Sequence, residues 1–214
     1  SHVSTKMGVP IGFWRSVGHS HNAFFSESFI DELAVASKQD PVAFRMALLK
    51  DAPRYAAVLK LAAEKAKWGS ALPAGHAHGV ALHESFGSIV AQVAEVSIKD
   101  GMPRVHRVVC AIDCGTVVNP GTVAQQVESS VNFALTAALF GKIDIQAGVV
   151  QQNNFTNYPL VSMAQSPVVE TWIVPSTRSP EGVGEPAVPP LAPAVANALF
   201  QLTGQRHRAL PLKA

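Results

Sequence analysis

The sequence predicts an α+β fold, and three observations lead there. Through the first seventy residues the apolar positions recur at helical spacing. Between Ala77 and Asp113 the pattern turns into extended runs rich in Val and Ile. Helices and strands then mix without the strand–helix–strand alternation of a doubly wound sheet.

In chain order, residues 1–22 read as a loop carrying Gly8, Gly12 and Gly18 around Phe13-Trp14-Arg15. Phe25, Phe29, Ile30, Leu33 and Ala34 then predict a helix from Asn22, as its cap, to Lys38. Asp40-Pro41 starts a second helix, with Asp capping and Pro at the first helical position, running to about Lys50. An alanine-rich third helix spans Pro53 to Trp68 and stops at Gly69. Phe24, Phe25, Phe29 and Phe44 are expected in the core. Ala77–Phe86, Ser88–Lys99 and Arg104–Asp113 are the expected strands, and Asp100-Gly101 between two of them is a hairpin turn. Asn119-Pro120-Gly121 opens a long helix, Thr122 to Phe140. Extended runs at Gly148–Gln152 and Val168–Val174, a Pro/Gly loop at 175–190, and a helix from about Ala192 to Leu202 with Gly204 as its stop complete the chain. The domain reading is a loop plus helical segment over 1–70 and an α+β portion over 71–214, or one continuous unit.

The 214 residues suffice for a real core. Only 15% are charged, which suits a piece much of whose surface is covered by other protein. A net charge of +2 without a basic run gives no reason to expect nucleic acid or an anionic membrane surface. No stretch reaches the length of a spanning helix. Cys110 and Cys114 have the wrong spacing for a redox pair and are expected as small buried hydrophobes. The chain begins in mid-pattern without Met, so a truncated, processed or separately encoded portion is expected.

Gly182-Val183-Gly184-Glu185-Pro186 is the segment richest in chemical possibilities. Two glycines let backbone approach a ligand closely, and their amides can face an anion. A partly desolvated carboxylate fixed by prolines on a rigid loop suits a general base. On spacing alone a Gly-Pro turn bearing a solvated Glu is the plainer alternative. His19-x-His21, His76-x-His78 and His83 invite a zinc reading, but no His-Glu-x-x-His and no cysteine pair of zinc type accompanies them. The strand histidines read more plainly as hydrogen-bonded or exposed residues.

The run 179–210, with Pro-Glu-Gly-Val-Gly-Glu-Pro near its start, resembles the carboxy-terminal end of molybdopterin-dependent hydroxylase large subunits, the xanthine dehydrogenase and aldehyde oxidase family. Within that family it looks most like the branch typified by isoquinoline 1-oxidoreductase and its beta chain. Gly12-Phe13-Trp14-Arg15-Ser16-Val17-Gly18 leading into Glu27 and Asp31-Glu32-Leu33-Ala34, Ile112-Asp113-Cys114-Gly115 with Asn119-Pro120, and Asn153-Asn154-Phe155 with Tyr158-Pro159-Leu160 resemble three further family blocks in order.

That resemblance implies a carboxy-terminal fragment of a molybdopterin-binding domain, with mixed strands packed by helices. It implies a molybdenum cofactor, either plain molybdopterin or, above all, its cytosine dinucleotide. It implies Glu185 as the base that deprotonates a metal-bound hydroxyl, in hydroxylation of an aldehyde or N-heterocycle with water as oxygen source. Gly182, Val183 and Gly184 would lie against the cofactor. Arg15 would stand near the metal, where a cation stabilises developing charge; a surface ion pair is its plainer alternative. His19 and His21 would have a substrate-contacting or supporting role. The implied partners are the remainder of the large subunit and a small subunit carrying iron–sulfur clusters. The isolated chain is expected to be inactive. The family is found in bacterial periplasm and cytoplasm, and nothing in the sequence chooses between them. One departure stands out: where relatives usually show Gln-x-Glu-Gly-Gly, this chain has Gln126-Val127-Glu128-Ser129-Ser130, implying altered packing or an added hydrogen-bonding role. A non-catalytic scaffold or assembly module derived from the family is the alternative.

Overall fold

A computed structural model describes residue 8 and residues 11–213. The expected start of the opening loop, residues 1–7, 9 and 10, lies outside the described residues. The elements are α1 (His19–Ala36), α2 (Pro41–Leu48), α3 (Pro53–Lys65), β1 (His76–Ser85), β2 (Ser88–Lys99), β3 (Met102–Asp113), α4 (Pro120–Phe140), β4 (Ile145–Gln146), β5 (Val149–Val150), β6 (Val168–Ile173) and α5 (Leu191–Thr203).

The main sheet has the order β1-β2-β3-β6. β1, β2 and β3 form an antiparallel meander, and β6 joins β3 in parallel after the α4 crossover, so the sheet is mixed. The β2–β3 turn, Asp100-Gly101, has positive φ at both residues (52° and 71°), as a tight hairpin requires. β2 is buried along most of its length because it is flanked by strands and covered on both faces. Ile89, Ala91 and Val93 pack under α3, while Ala94 and Val96 pack under α4 and α5. Gly79 lets α5 ride directly on β1: a Cβ there would lie 2.0 Å from the Ala194 carbonyl oxygen.

Several helix ends follow from sequence. Asp40 accepts from Val42 N and Ala43 N at 3.0 and 2.9 Å, with Pro41 at N1. Asn119 accepts from Thr122 N at 3.1 Å, and Gly204 ends α5 in the left-handed conformation. Other expectations are corrected. α1 begins at His19 rather than Asn22, Gly18 stands at its cap, and no side chain caps it. The run 148–152 contributes only Val149–Val150, paired with Ile145–Gln146.

The phenylalanine core is also corrected. Phe24 is buried, but Phe44 is only half-buried, and Phe25 and Phe29 are 61% and 57% exposed. The reason is that α1 turns Ala23, Phe24, Glu27, Ser28, Asp31 and Ala34 inward. Glu27 and Asp31 enter a buried ionic network there. Arg45 bonds Glu27 at 3.0 Å and lies 3.7 Å from Asp31, whose other oxygen takes Arg206 at 2.7 Å. Leu82 N also donates to Glu27 at 2.8 Å, fastening α1 to β1. Cys110 and Cys114 are buried free thiols, and burial pushes Cys110 up to about 12. Among the described residues no helix is long and apolar enough to cross a membrane.

Candidate active site

The 175–190 loop is held against the sheet end by backbone on both sides. Thr116 N and Oγ1 donate to the Arg178 carbonyl at 2.9 and 2.7 Å, and Glu181 N donates to the Cys114 carbonyl at 2.9 Å. Gly115 makes this approach possible: its φ is +72°, and a Cβ there would lie 2.0 Å from the Ser179 carbonyl oxygen. Further along, Ser88 Oγ donates to the Gly182 carbonyl at 2.6 Å and Gln92 Nε2 to the Ala187 carbonyl at 2.7 Å. Val183 packs against the cluster that includes Val90, Cys110, Ile112 and Val127. Its side chain thus anchors the loop inward.

Beside the two glycines there is room for a methyl group, in ordinary contact with its neighbours. A Cβ on Gly182 would meet nothing closer than 3.6 Å, and one on Gly184 nothing closer than 3.8 Å. Within this chain, then, neither packing nor φ demands glycine at these positions. Gly182 is exposed, whereas Gly184 is half-buried with Gln126 beside it.

Glu185 is half-buried and faces the turn before α1. Ser16 N donates to Glu185 Oε1 at 2.8 Å, and Ser16 Oγ donates to the Glu185 carbonyl at 2.7 Å. Among the described residues Oε2 has no hydrogen-bond donor. The Ser16 amide reaches the carboxylate because Ser16 and Val17 both adopt left-handed backbone, with φ of 71° and 49°. That conformation is unusual for any non-glycine and an outlier for a β-branched residue, and costs on the order of 1–3 kcal/mol per residue. Strain of this kind persists where the surroundings over-determine it. Here Val17 N bonds the Trp14 carbonyl at 2.8 Å, His19 N bonds the Ser16 carbonyl at 2.9 Å, and Ser16 is fully buried.

Arg15 completes the contact between the two segments. Its Nε donates to the Gly184 carbonyl at 2.9 Å, and Nη2 donates to the same oxygen. Nη1 donates to Ser129 Oγ at 3.1 Å, and Nη2 to Ser130 Oγ at 2.9 Å and Gln126 Oε1 at 3.3 Å. All these acceptors are uncharged, whereas Arg45, Arg54, Arg107, Arg206 and Arg208 pair with carboxylates. Burial lowers the Arg15 guanidinium from its ordinary value, and the Glu185 carboxylate opposes that. The surface ion pair that is the plainer expectation for Arg15 is absent among the described residues.

The two remaining candidates separate. His19 Nδ1 lies 3.0 Å from His83 Nε2, and its ring meets Phe86 edge-on at 5.1 Å. Burial, with His19 beside it, pushes His83 down to about 4. His21 instead lines a cavity of about 280 Å³ with Trp14, Tyr158 and Pro189. Residues two apart on a helix point to opposite sides, so the expectation that groups them in one loop is corrected. Sequence reasoning does not single out Ser16, and no residue preference signals its backbone. Gln126, Ser129 and Ser130 are visible as i, i+3 and i+4 of one helix face; Glu128 is exposed, away from Arg15. The zinc reading finds no support: His76 bonds Glu95 at 2.7 Å, His78 stacks on Trp68, and no group of three ligand-type residues occurs among those described.

The loop thus brings together a carboxylate with one oxygen free of donors among the described residues, the Gly182–Gly184 backbone, and an arginine that lies near Glu185 but forms no ion pair within 4 Å among those residues. The chain belongs to the family of molybdopterin cofactor-binding domains, whose model matches residues 35–167, between Arg15 and Glu185. It is 33% identical to the beta chain of isoquinoline 1-oxidoreductase from Brevundimonas diminuta, over 99% of this chain and 28% of that one. It is also 33% identical to a chain of the nicotinate dehydrogenase of Pseudomonas putida, over 96% of this chain and 19% of that one. The chain thus spans less than a third of the length of these relatives. The aldehyde oxidoreductase of Desulfovibrio gigas shares the fold, with a TM-score of 0.69 over 92% of this chain and 40% of that structure, at 13% identity.

Proposed function

We propose that this chain is the carboxy-terminal part of a molybdenum hydroxylase that oxidises an aldehyde or N-heterocycle, with Glu185 as general base. The observation that carries the reading is the state of the Glu185 carboxylate. One oxygen is fixed by the Ser16 amide and the other has no donor among the described residues, three positions from the exposed Gly182. The names of two relatives, for isoquinoline and nicotinate, favour an N-heterocycle.

The residues fit a molybdopterin group, taken here as the cytosine dinucleotide form. Gly182 and Gly184 would hold it through backbone, Val183 would contribute its main chain only, and Arg15 would supply positive charge. When bound, that group supplies the oxygen, drawn from water, and takes up the electrons. Glu185 accepts a proton at Oε2 while the Ser16 N–H keeps Oε1 in place, so the base does not have to reorganise. Arg15 keeps one Nη1 hydrogen without an acceptor among the described residues, and its charge is not neutralised by a paired carboxylate. His19, backed by His83, and His21, in its cavity, lie on different sides, and the former is the better placed to line the approach past Phe86 and Gly182.

The segments 1–70 and 71–214 act together in this reading, since the first supplies Arg15 and Ser16 and the second supplies Glu185. The remainder of the large subunit would complete the site, and an iron–sulfur small subunit would carry electrons away. The scaffold alternative draws on Ser129 and Ser130 and on the absence of the upstream cofactor-binding portion from this chain; since both hydroxyls hold Arg15, the serines serve the catalytic reading as well. Co-expression with the genes adjoining its own, followed by molybdenum and pterin analysis, tests the reading. Stoichiometric molybdenum and pterin are expected in the assembled enzyme, with neither turnover nor tightly bound molybdenum in the isolated chain. An assembled complex free of both would support the scaffold instead.

A further inference from the structure

We propose that Ser129 and Ser130 are positioning residues: their hydroxyls orient the Arg15 guanidinium, which holds the Gly184 carbonyl and through it the Glu185 carboxylate. The chain of contacts is continuous. Ser129 Oγ and Ser130 Oγ lie 3.1 and 2.9 Å from Nη1 and Nη2, Arg15 Nε lies 2.9 Å from the Gly184 carbonyl oxygen, and the next residue binds the Ser16 amide at 2.8 Å.

A guanidinium is a rigid planar fork on a long flexible stem. One bonded edge, the Nε and Nη2 hydrogens on Gly184, with only the longer 3.3 Å bond from Nη2 to Gln126 Oε1 beside it, holds the plane loosely. Two hydroxyls one residue apart on α4 reach the two terminal nitrogens and fix the plane. Phe133 adds a further restraint, with its ring centroid 5.5 Å from the guanidinium carbon. The choice of acceptor also matters. A carboxylate in place of either hydroxyl would fix Arg15 equally well but cancel its charge; a hydroxyl fixes the group and leaves the charge standing next to Glu185. Glycine at these positions would offer no acceptor. The sequence departure at 129–130 therefore has a physical consequence, since it ties α4 to the loop that presents the base.

This inference deepens the assignment of Glu185 as base, but its structural arm stands on the hydrogen bonds alone. The test uses the assembled enzyme carrying Ser129→Ala/Ser130→Ala. Alanine is the stronger helix former, so α4 is not weakened. Hydrogen exchange of the peptide containing the Ser16 amide is expected to accelerate roughly tenfold or more, the loss expected when bonds to a charged group are removed. Peptides from β2 and β3 should stay as protected as before. The same variant should lower kcat several-fold with little change in KM, and Ser129→Thr, which keeps a hydroxyl at an exposed position, should behave as wild type. If the double variant fails to assemble, Ser129→Ala alone decides, with a smaller acceleration at the same peptide. Wild-type protection at Ser16 in the variants that assemble overturns the proposal. Faster exchange at Ser16 together with an active Glu185→Gln enzyme would instead keep the clamp and discard the base.

Discussion

Glu185→Gln in the assembled enzyme is expected to reduce kcat by about 10²- to 10⁴-fold, the range spanned by a positioned general base. The substitution isolates proton transfer from architecture. A glutamine retains a carbonyl oxygen for the Ser16 N–H, which now donates to Oε1 at 2.8 Å, and leaves the backbone bond from Ser16 Oγ untouched. The left-handed turn at Ser16 and Val17 and the fork from Arg15 to Gly184 should therefore persist. What disappears is the one oxygen able to take a proton. Molybdenum and pterin content should match wild type, and KM should change little, because the loss belongs to the transition state. Turnover at the wild-type rate with full cofactor would remove Glu185 from the chemistry.

Arg45→Met is expected to destabilise the chain by about 3–5 kcal/mol, because it leaves buried carboxylates without their cation. Arg45 is 2% exposed and donates to the Glu27 side chain and the Glu27 carbonyl, each at 3.0 Å, while also facing Asp31. Burial raises Glu27 above its ordinary value of 4.5, and Arg45, the Leu82 amide and their bonds pull it back. Removing Arg45 raises it further. A carboxyl whose folded value exceeds its unfolded one binds more protons when folded, so stability is present below about 4.5 and is lost as pH rises through the folded value. The defect should accordingly be milder in acid than at neutral pH, measured by denaturant unfolding across that range. Adding Glu27→Gln should recover part of the loss, since an amide can still accept the Leu82 N–H without a buried charge. Equal stability of Arg45→Met and wild type at neutral pH would mean the network carries no such role.

Much of the fold is legible because its signals are local. Asp40-Pro41, Asn119-Pro120 and Gly204 announce helix ends through capping chemistry, and Asp100-Gly101 announces a hairpin through its tolerance of positive φ. The misreadings share a different cause. Phe25 and Phe29 sit at helical spacing, but spacing says only that a face exists, not which face turns inward. In α1 the inward face carries Glu27 and Asp31, committed to Arg45 on the next helix and to Arg206, 175 residues away. The parallel β3–β6 pair likewise depends on where α4 returns the chain, which no local pattern encodes.

The site divides in the same way. Glu185 and Arg15 stand out through the motifs around them, yet their meeting, through the Gly184 carbonyl and the Ser16 amide, joins positions 169 residues apart. Ser16 and Val17 are not residue types that favour left-handed backbone, so the turn that aims the amide is written in tertiary contacts rather than in local preference. His19 and His21 look equivalent in a loop and prove opposite once the first turn of α1 begins at His19.

Anomalous diffraction at the molybdenum edge from crystals of the assembled enzyme tests the central claim most directly. The expected peak lies beside the Gly182–Gly184 backbone, with Glu185 Oε2 within hydrogen-bond reach, about 2.6–3.2 Å, of an oxygen ligand of the metal or one water removed from it. A metal peak elsewhere, with that carboxylate turned into bulk solvent, would contradict the account.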